Sequence, residues 1–122
     1  MNSIKKKVNQ LLISIKKKNH LIHGYGASTK GNTVLQYYGL NNSKIQFAAE
    51  KSPSKWNKYT VGTGIKIISE KIARKLNPDF FFITPWGFVK EFIKREKTWL
   101  KNGGKFILPF PKLKIIEYGK KN

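Results

Sequence analysis

Cysteine is absent from the 122 residues. That excludes disulfides, zinc–thiolate sites and a cysteine nucleophile, and it is compatible with a reducing interior. Acidic residues are scarce: the six present are scattered along the chain, so no carboxylate pair is in view for general acid and base work. Histidine occurs only at His20 and His23, and no His, Asp or Glu spacing matches a metal site. Arginine is nearly missing as well. Of 25 basic residues only Arg74 and Arg95 are arginine, whereas dedicated base readers and phosphate clamps favour arginine's planar fork. Long apolar runs are missing too. The stretch Leu11–Ile15, with lysines close on both sides, is too short for a bilayer span and lacks the h-region and cleavage site of a signal peptide. The expectation is a cytoplasmic protein with no membrane span.

What is abundant is lysine, which brings the formal net charge to +19. The lysines run from Lys5 to Lys121, and isoleucine and asparagine are plentiful beside them, as codon bias would produce. The competing reading is a polyanion-binding function; non-specific affinity for polyanions follows on either reading. The length suits one domain with a core of its own. Residues 1–18 form a leading amphipathic helix, 19–118 an α/β sheet domain and 119–122 a tail.

In that first helix Ile4, Val8, Leu11, Leu12 and Ile15 make one stripe with lysines around it, and Ser3 suits an N-cap. The stripe packs on the sheet that follows; the competing role is lying on a membrane surface. Strands are predicted over His20–Tyr25, Ile45–Ala49, Ile65–Ile68, Phe80–Thr84, Lys105–Pro109 and Leu113–Tyr118, the last a candidate for antiparallel pairing. Between them lie a helix from Thr33 to a C′ glycine at Gly39, a short helix Glu70–Leu76 capped by Ser69, and an amphipathic helix Phe88–Leu100 closed by Asn102-Gly103-Gly104. The apolar run Phe80–Thr84 suits a central parallel strand buried on both faces. A polar loop, Lys51–Gly64, carries Trp56 and Tyr59, and a loop of that length is functional or disordered. Strands alternating with helices imply a Rossmann-like, doubly wound, mostly parallel α/β sheet of five or six strands with helices on both faces.

The stretch His23-Gly24-Tyr25-Gly26-Ala27-Ser28-Thr29-Lys30-Gly31-Asn32 sits between a strand and a helix. There exposed N–H groups and a helix N-terminus can hold a phosphate or carboxylate. Glycine supplies conformations or close approaches that a Cβ forbids, and Ser28, Thr29, Lys30 and Asn32 supply donors. Gly24-x-Gly26 opens a dinucleotide fingerprint but Thr29 stands at its third glycine; Gly26-x-x-x-x-Gly31 frames a P-loop but Asn32 replaces its lysine. A plain strand-to-helix turn is the alternative. Glu50 follows the second strand, 24 residues after Gly26, where an acidic residue would accept from a ribose or stand as a solvated charge. Pro85-Trp86 follows the central strand at the end where ligands bind in open sheets.

Gly24 to Thr33, Lys58-Tyr59-Thr60-Val61-Gly62-Thr63, Pro85-Trp86 and Asn102-Gly103-Gly104-Lys105-Phe106-Ile107 occur in that order. Together they resemble the C-terminal domain of the sugar C-methyltransferases, S-adenosylmethionine-dependent enzymes acting on a carbon of a nucleotide-activated deoxysugar. The resemblance runs from about Asn19 to Pro111. It departs at Gly87, where a larger polar residue is common, and at Glu50, where aspartate is usual. The resemblance implies a three-part family design: a zinc-binding domain, a methyl-donor domain, and a Rossmann-like domain that anchors the nucleotide sugar. It further implies that Gly24 to Asn32 (Gly24, Tyr25, Gly26, Ala27, Ser28, Thr29, Lys30, Gly31 and Asn32), with Glu50, Tyr59, Pro85 and Trp86, border the substrate cleft.

The family's catalytic histidine and tyrosine and its zinc cysteines belong to parts outside this stretch, and His20 and His23 are read as structural. No catalytic residue, metal or cofactor is therefore assigned to the chain; S-adenosylmethionine belongs to the full-length family. The expected function is a detached or truncated substrate-anchoring module whose partner chain carries the zinc and methyl-donor domains. One alternative is a self-contained methyltransferase holding S-adenosylmethionine at Gly24-Tyr25-Gly26 and its ribose at Glu50. The other is a small basic protein binding nucleic acid or anionic lipid.

Overall fold

A computed structural model describes residues 2–26, 29–84, 86–109 and 112–119, the side chains of 2, 3, 29–32 and 86 excepted. In chain order the elements are α1 (Asn2–Lys17), β1 (Ile22–Tyr25), α2 (Thr29–Tyr37), β2 (Phe47–Glu50), β3 (Lys66–Ser69), α3 (Glu70–Leu76), β4 (Phe80–Ile83), α4 (Val89–Arg95), α5 (Lys97–Lys101), β5 (Lys105–Leu108) and β6 (Lys114–Ile116). Short 3-10 turns occupy Pro53–Lys55 and Trp86–Phe88. The six strands form one sheet in the order β3-β2-β1-β4-β5-β6. All pairings are parallel except β5 with β6. This is the doubly wound order whose direction of winding reverses between β1 and β4.

Alternation along the strands divides the core into two layers. Ile22, Ala48, Ile67, Phe80, Phe82 and Ile107 face one layer, covered by Val8, Leu12 and Ile15 of α1 and Leu35 of α2. Phe81, Ile83, Ala49, Ile68 and Phe106 face the other, covered by Ala73 of α3, Phe92 of α4 and Trp99 and Leu100 of α5. The α1 stripe is thus consumed by the core, each such side chain contributing about 1.5–3 kcal/mol when fully buried. No helix among the described residues is long and apolar enough to cross a membrane. The apolar run of β4 is buried throughout because it lies in the middle of the sheet with helices on both faces.

Helix ends follow local chemistry. Asn19 (φ 61°) and Gly39 (φ 69°) take left-handed conformations just past α1 and α2. Ser69 Oγ accepts from Ile72 N at 3.0 Å and caps α3. Ser3 is not a cap, because α1 already begins at Asn2. Predicted strand ends move by a residue or two: β1 starts at Ile22, not His20, and β2 and β3 start later but run one residue further, to Glu50 and Ser69.

The predicted helix Phe88–Leu100 is instead a 3-10 turn followed by α4 and α5, broken at Glu96. Glu96 leaves helical geometry (φ −104°, ψ 23°) and is 2% exposed. Its carboxylate accepts from Tyr25 Oη at 2.6 Å and from Arg74 Nε and Nη2 at 2.8 and 2.6 Å. The break turns Trp99 and Leu100 onto the sheet, while Phe88, at the head of the predicted stripe, is 60% exposed. Loop 51–64 closes the outer edge of β3. Asn57 N donates to Ile67 O and Ile67 N to Lys58 O, both at 2.8 Å, and Tyr59 bridges Lys66 in antiparallel sense. A covered edge offers no template to another strand.

Candidate functional site

In open sheets of this order the ligand crevice lies outside the carboxyl ends of the strands where the winding reverses, here β1 and β4. On the β1 side the chain leaves Tyr25, which pairs with both Ala49 and Ile83, and turns at Gly26. Gly26 has φ 88°, and its N–H donates to Ala49 O at 2.8 Å, so a left-handed backbone is required at this corner. Gly24 is different: it lies inside β1, and a Cβ there would meet Ala48 Cβ at an ordinary 3.6 Å. The close approach expected of it is not needed. Ala27 and Ser28 lie outside the described residues. Thr29, Lys30, Gly31 and Asn32 form the first turn of α2 rather than a loop, which brings the unsatisfied N–H groups of a helix start to the corner. Their side chains lie outside the described residues.

On the β4 side Thr84 follows Ile83 and so stands opposite Gly26. It is 3% exposed, and its Oγ1 has no hydrogen-bond partner among the described residues. A buried hydroxyl left unpaired is uncommon and costly. Sequence reasoning passed it over as the end of an apolar run; its signal was a single polar residue closing that run before Pro-Trp. Pro85 lies outside the described residues, and Trp86 opens the 3-10 turn beyond it, its side chain likewise undescribed.

Glu50 ends β2 one residue beyond the carbonyl that Gly26 uses. Its Oε2 accepts from Ser52 N at 2.9 Å, and its backbone carbonyl accepts from Trp56 Nε1 at 2.8 Å. Gly26, Glu50, Thr84 and the start of α2 are therefore brought together. Tyr59 is not. It bridges Lys66, which is in register with Phe47, the first residue of β2, whereas Glu50 is in register with Ser69. Tyr59 thus sits at the amino end of the sheet, three strand residues or ~10 Å from Glu50 along the strand, and does not border the crevice.

Tyr25 reaches the corner only through its backbone. Its ring packs edge-on against Phe81 and Phe92, and its hydroxyl donates to Glu96 while accepting from Arg95 Nε at 3.1 Å. Burial and the bond to Glu96 push that hydroxyl well above the usual phenol range. Both arginines are committed here. Arg74 spans Glu96 and Glu70, and Arg95 spans Glu70 and Glu91; the fork to Glu96 is what most raises the Arg74 pKa. The network props the carboxyl end of β1 from behind.

His23, expected in the bend, is instead the second residue of β1, 1% exposed and edge-on to Phe47 and Phe81. Burial lowers its pKa to about 4, and its Nδ1 lacks a partner among the described residues. His20 lies before the strand with its ring 6.2 Å from that of Phe80. Among the described residues no three His, Asp or Glu side chains converge as a metal site would need.

Residues 1–111 match the family model described as the C-methyltransferase C-terminal domain. Among curated proteins, the C-methyltransferase NovU of Streptomyces niveus is 32% identical over 113 residues, which is 93% of this chain and 27% of that protein. The chain thus spans little more than a quarter of the curated relative's length. By that match, and with the doubly wound strand order that such a domain was expected to have, the chain belongs to the C-methyltransferase C-terminal domain family.

Proposed function

We propose that this chain anchors a nucleotide-activated deoxysugar at the β1–β4 crevice for methyl transfer performed by residues outside it. The observation that carries the reading is Thr84. A buried hydroxyl with no partner among the described residues, opposite Gly26 at the reversal of winding, is a donor suited to an acceptor such as a phosphate oxygen. The helix start at Thr29 adds backbone donors on the other wall.

S-adenosylmethionine supplies the methyl group in the full-length family. The described residues beside the corner do not fit it. It is cationic at sulfur and amine, whereas Glu50 is turned to Ser52 N, Glu70 is paired with Arg74 and Arg95, and Lys51, Lys71 and Lys75 share a hollow with them. Such surroundings favour an anion. On this reading the methyl donor binds elsewhere, in a partner chain or in further sequence of the same protein.

Titration of the labelled chain with a thymidine-diphosphate deoxysugar tests the reading: amides from Gly26 to Asn32 shift saturably. Thr84→Val separates ligand from fold. Removing an unpaired buried hydroxyl leaves stability unchanged or raises it by about 1 kcal/mol, while affinity falls about tenfold for one lost hydrogen bond to a charged group. Absence of saturable binding, or full affinity in Thr84→Val, refutes the reading.

A further inference from the structure

Charge is divided unevenly by the sheet. No Asp or Glu precedes Glu50 in the chain, so α1 and α2, which cover one layer of the core, contribute lysines and no carboxylate. Glu70, Glu91 and Glu96 lie with α3 and α4 over the other layer, where the two arginines hold them. A carboxylate does reach the segment after α1: Asp79 Oδ2 accepts from Leu21 N at 2.7 Å, just before β4.

Lys5, Lys6 and Lys7 sit in the opening turns of α1, and Lys16, Lys17 and Lys18 at its end. Among the described residues none of them has a carboxylate partner. Lysine at a helix C-terminus suits the macrodipole, but lysines near an N-terminus with no acidic residue in the first turn oppose it. Lys5 has the Tyr37 ring at 5.7 Å; Lys6 and Lys7 are exposed and gain no such contact among the described residues. A local rule broken without compensation inside the fold points to a role outside it.

Between the two lysine groups lies a hollow of about 360 Å³ lined by Gln10, Ile13 and Ser14, with Lys17 and Lys18 at one end. From Lys6 to Lys17 the helix advances ~16 Å. That span is comparable to a major groove ~12 Å wide together with the strands that border it. A bilayer fits less well. Val8, Leu12 and Ile15 are buried in the core, and Ile13, 46% exposed, is the large apolar side chain that α1 leaves outside, too little to seat a helix in a lipid interface. Lysine is a point charge without arginine's fork, which suits phosphates rather than base edges.

We propose that the outward face of α1 binds the phosphate backbone of a nucleic-acid duplex without reading its sequence, Lys6 and Lys7 on one strand and Lys17 and Lys18 on the other. This binding is independent of the anchoring role at the Gly26 corner.

The test is fluorescence anisotropy of a labelled DNA duplex of mixed sequence titrated with the whole chain. Roughly four phosphate contacts predict an affinity that falls about 100-fold between about 50 and 200 mM salt. Lys6→Gln combined with Lys17→Gln should lower the salt slope by about 2 and weaken binding at least ~10-fold, with the unfolding midpoint unchanged or raised. Lys7→Gln combined with Lys18→Gln repeats the measurement on the neighbouring pair. Lys90→Gln combined with Lys94→Gln makes the same change in net charge at exposed positions of α4 and should leave most of the affinity in place. No binding at about 50 mM salt, or an equal loss in the α4 variant, overturns the inference, because the charge then acts only as a diffuse total. If phosphatidylserine vesicles or polyglutamate bind more tightly than the duplex and lose that affinity in the α1 variants, the face is real but the ligand class is wrong, and the inference fails.

Discussion

Gly103 and Gly104 are neighbours that the fold requires for different reasons, so one substitution applied to each separates conformation from space. At Gly103 φ is 102° and nothing lies within 4 Å of an added Cβ. Alanine there incurs only backbone strain, about 1–3 kcal/mol. At Gly104 the backbone is not left-handed, but an ideal Cβ would stand 2.6 Å from Trp99 Cζ2 and closer still to Cε2 and Cδ2. Ordinary carbon contacts lie near 3.5–4.0 Å, so the indole or the backbone must move by about 1 Å.

Trp99 has little room to move. It is 7% exposed, its Nε1 donates to Pro78 O at 2.9 Å, and its ring sits 4.6 Å from that of Phe81 and 5.2 Å from that of Phe106. Overpacking of about 1–3 kcal/mol, added to about 1–3 kcal/mol for a displaced buried hydrogen bond, gives about 3–4 kcal/mol for Gly104→Ala. Urea unfolding of the two variants, with Trp99→Leu as background, is the assay. Gly104→Ala should cost more than Gly103→Ala in the parent chain and much less once Trp99 is trimmed, whereas Gly103→Ala should cost the same in both. A Gly104→Ala cost below about 1 kcal/mol, or equal costs in the two backgrounds, refutes the steric account.

Acid should weaken the fold through His23. Its native pKa is lowered to about 4 from 6.5, so the unfolded chain takes up the proton first. The stability from a neutral His23 is complete above about pH 6.5 and is lost as pH falls toward 4, by about 2–3 kcal/mol at pH 4.5. Unfolding midpoints at pH 7 and 4.5 should converge for His23→Phe relative to the parent; an identical pH slope in the two proteins counts against it. Glu96→Ala leaves the Tyr25 hydroxyl without its acceptor and Arg74 without its fork. Since Arg74 is 38% exposed and water can serve it, a loss of about 2–3 kcal/mol is expected rather than the full value of a buried pair. Thermal unfolding of Glu96→Ala and Glu96→Gln checks this, with glutamine retaining part of the loss because it still accepts from Tyr25.

The layered sheet was legible because period-two and period-3.6 patterns survive in short elements. Phe80–Ile83 announced a strand buried on both faces, and the stripe from Val8 to Ile15 announced a covering helix. Ser69 and Gly39 marked their helix ends through chemistry that acts within a turn. What could not be read was whatever distant partners decide. Glu96 looked like one more charge beside a helical stripe, and only Tyr25 and Arg74, 71 and 22 residues away, explain why the helix breaks there. Tyr59 went to the wrong end of the sheet because nothing local shows that its loop runs back antiparallel along β3. Gly31 suggested that the bend continued where α2 had already begun. The corner at Gly26 was visible as a motif, but the unpaired Thr84 hydroxyl opposite it depends on burial, which the sequence does not show.

Lysine supplies every cation of this chain except two, and those two sit where a tethered ammonium could not substitute. Arg74 reaches Glu70 and both oxygens of Glu96 from one flat group, and Arg95 reaches Glu70 and the Tyr25 hydroxyl. Exchanging either for lysine would preserve the charge yet forfeit a prong, leaving one strut of the scaffold behind the Gly26 corner attached at a single end. Compositional drift toward lysine therefore meets a geometric limit at these two positions.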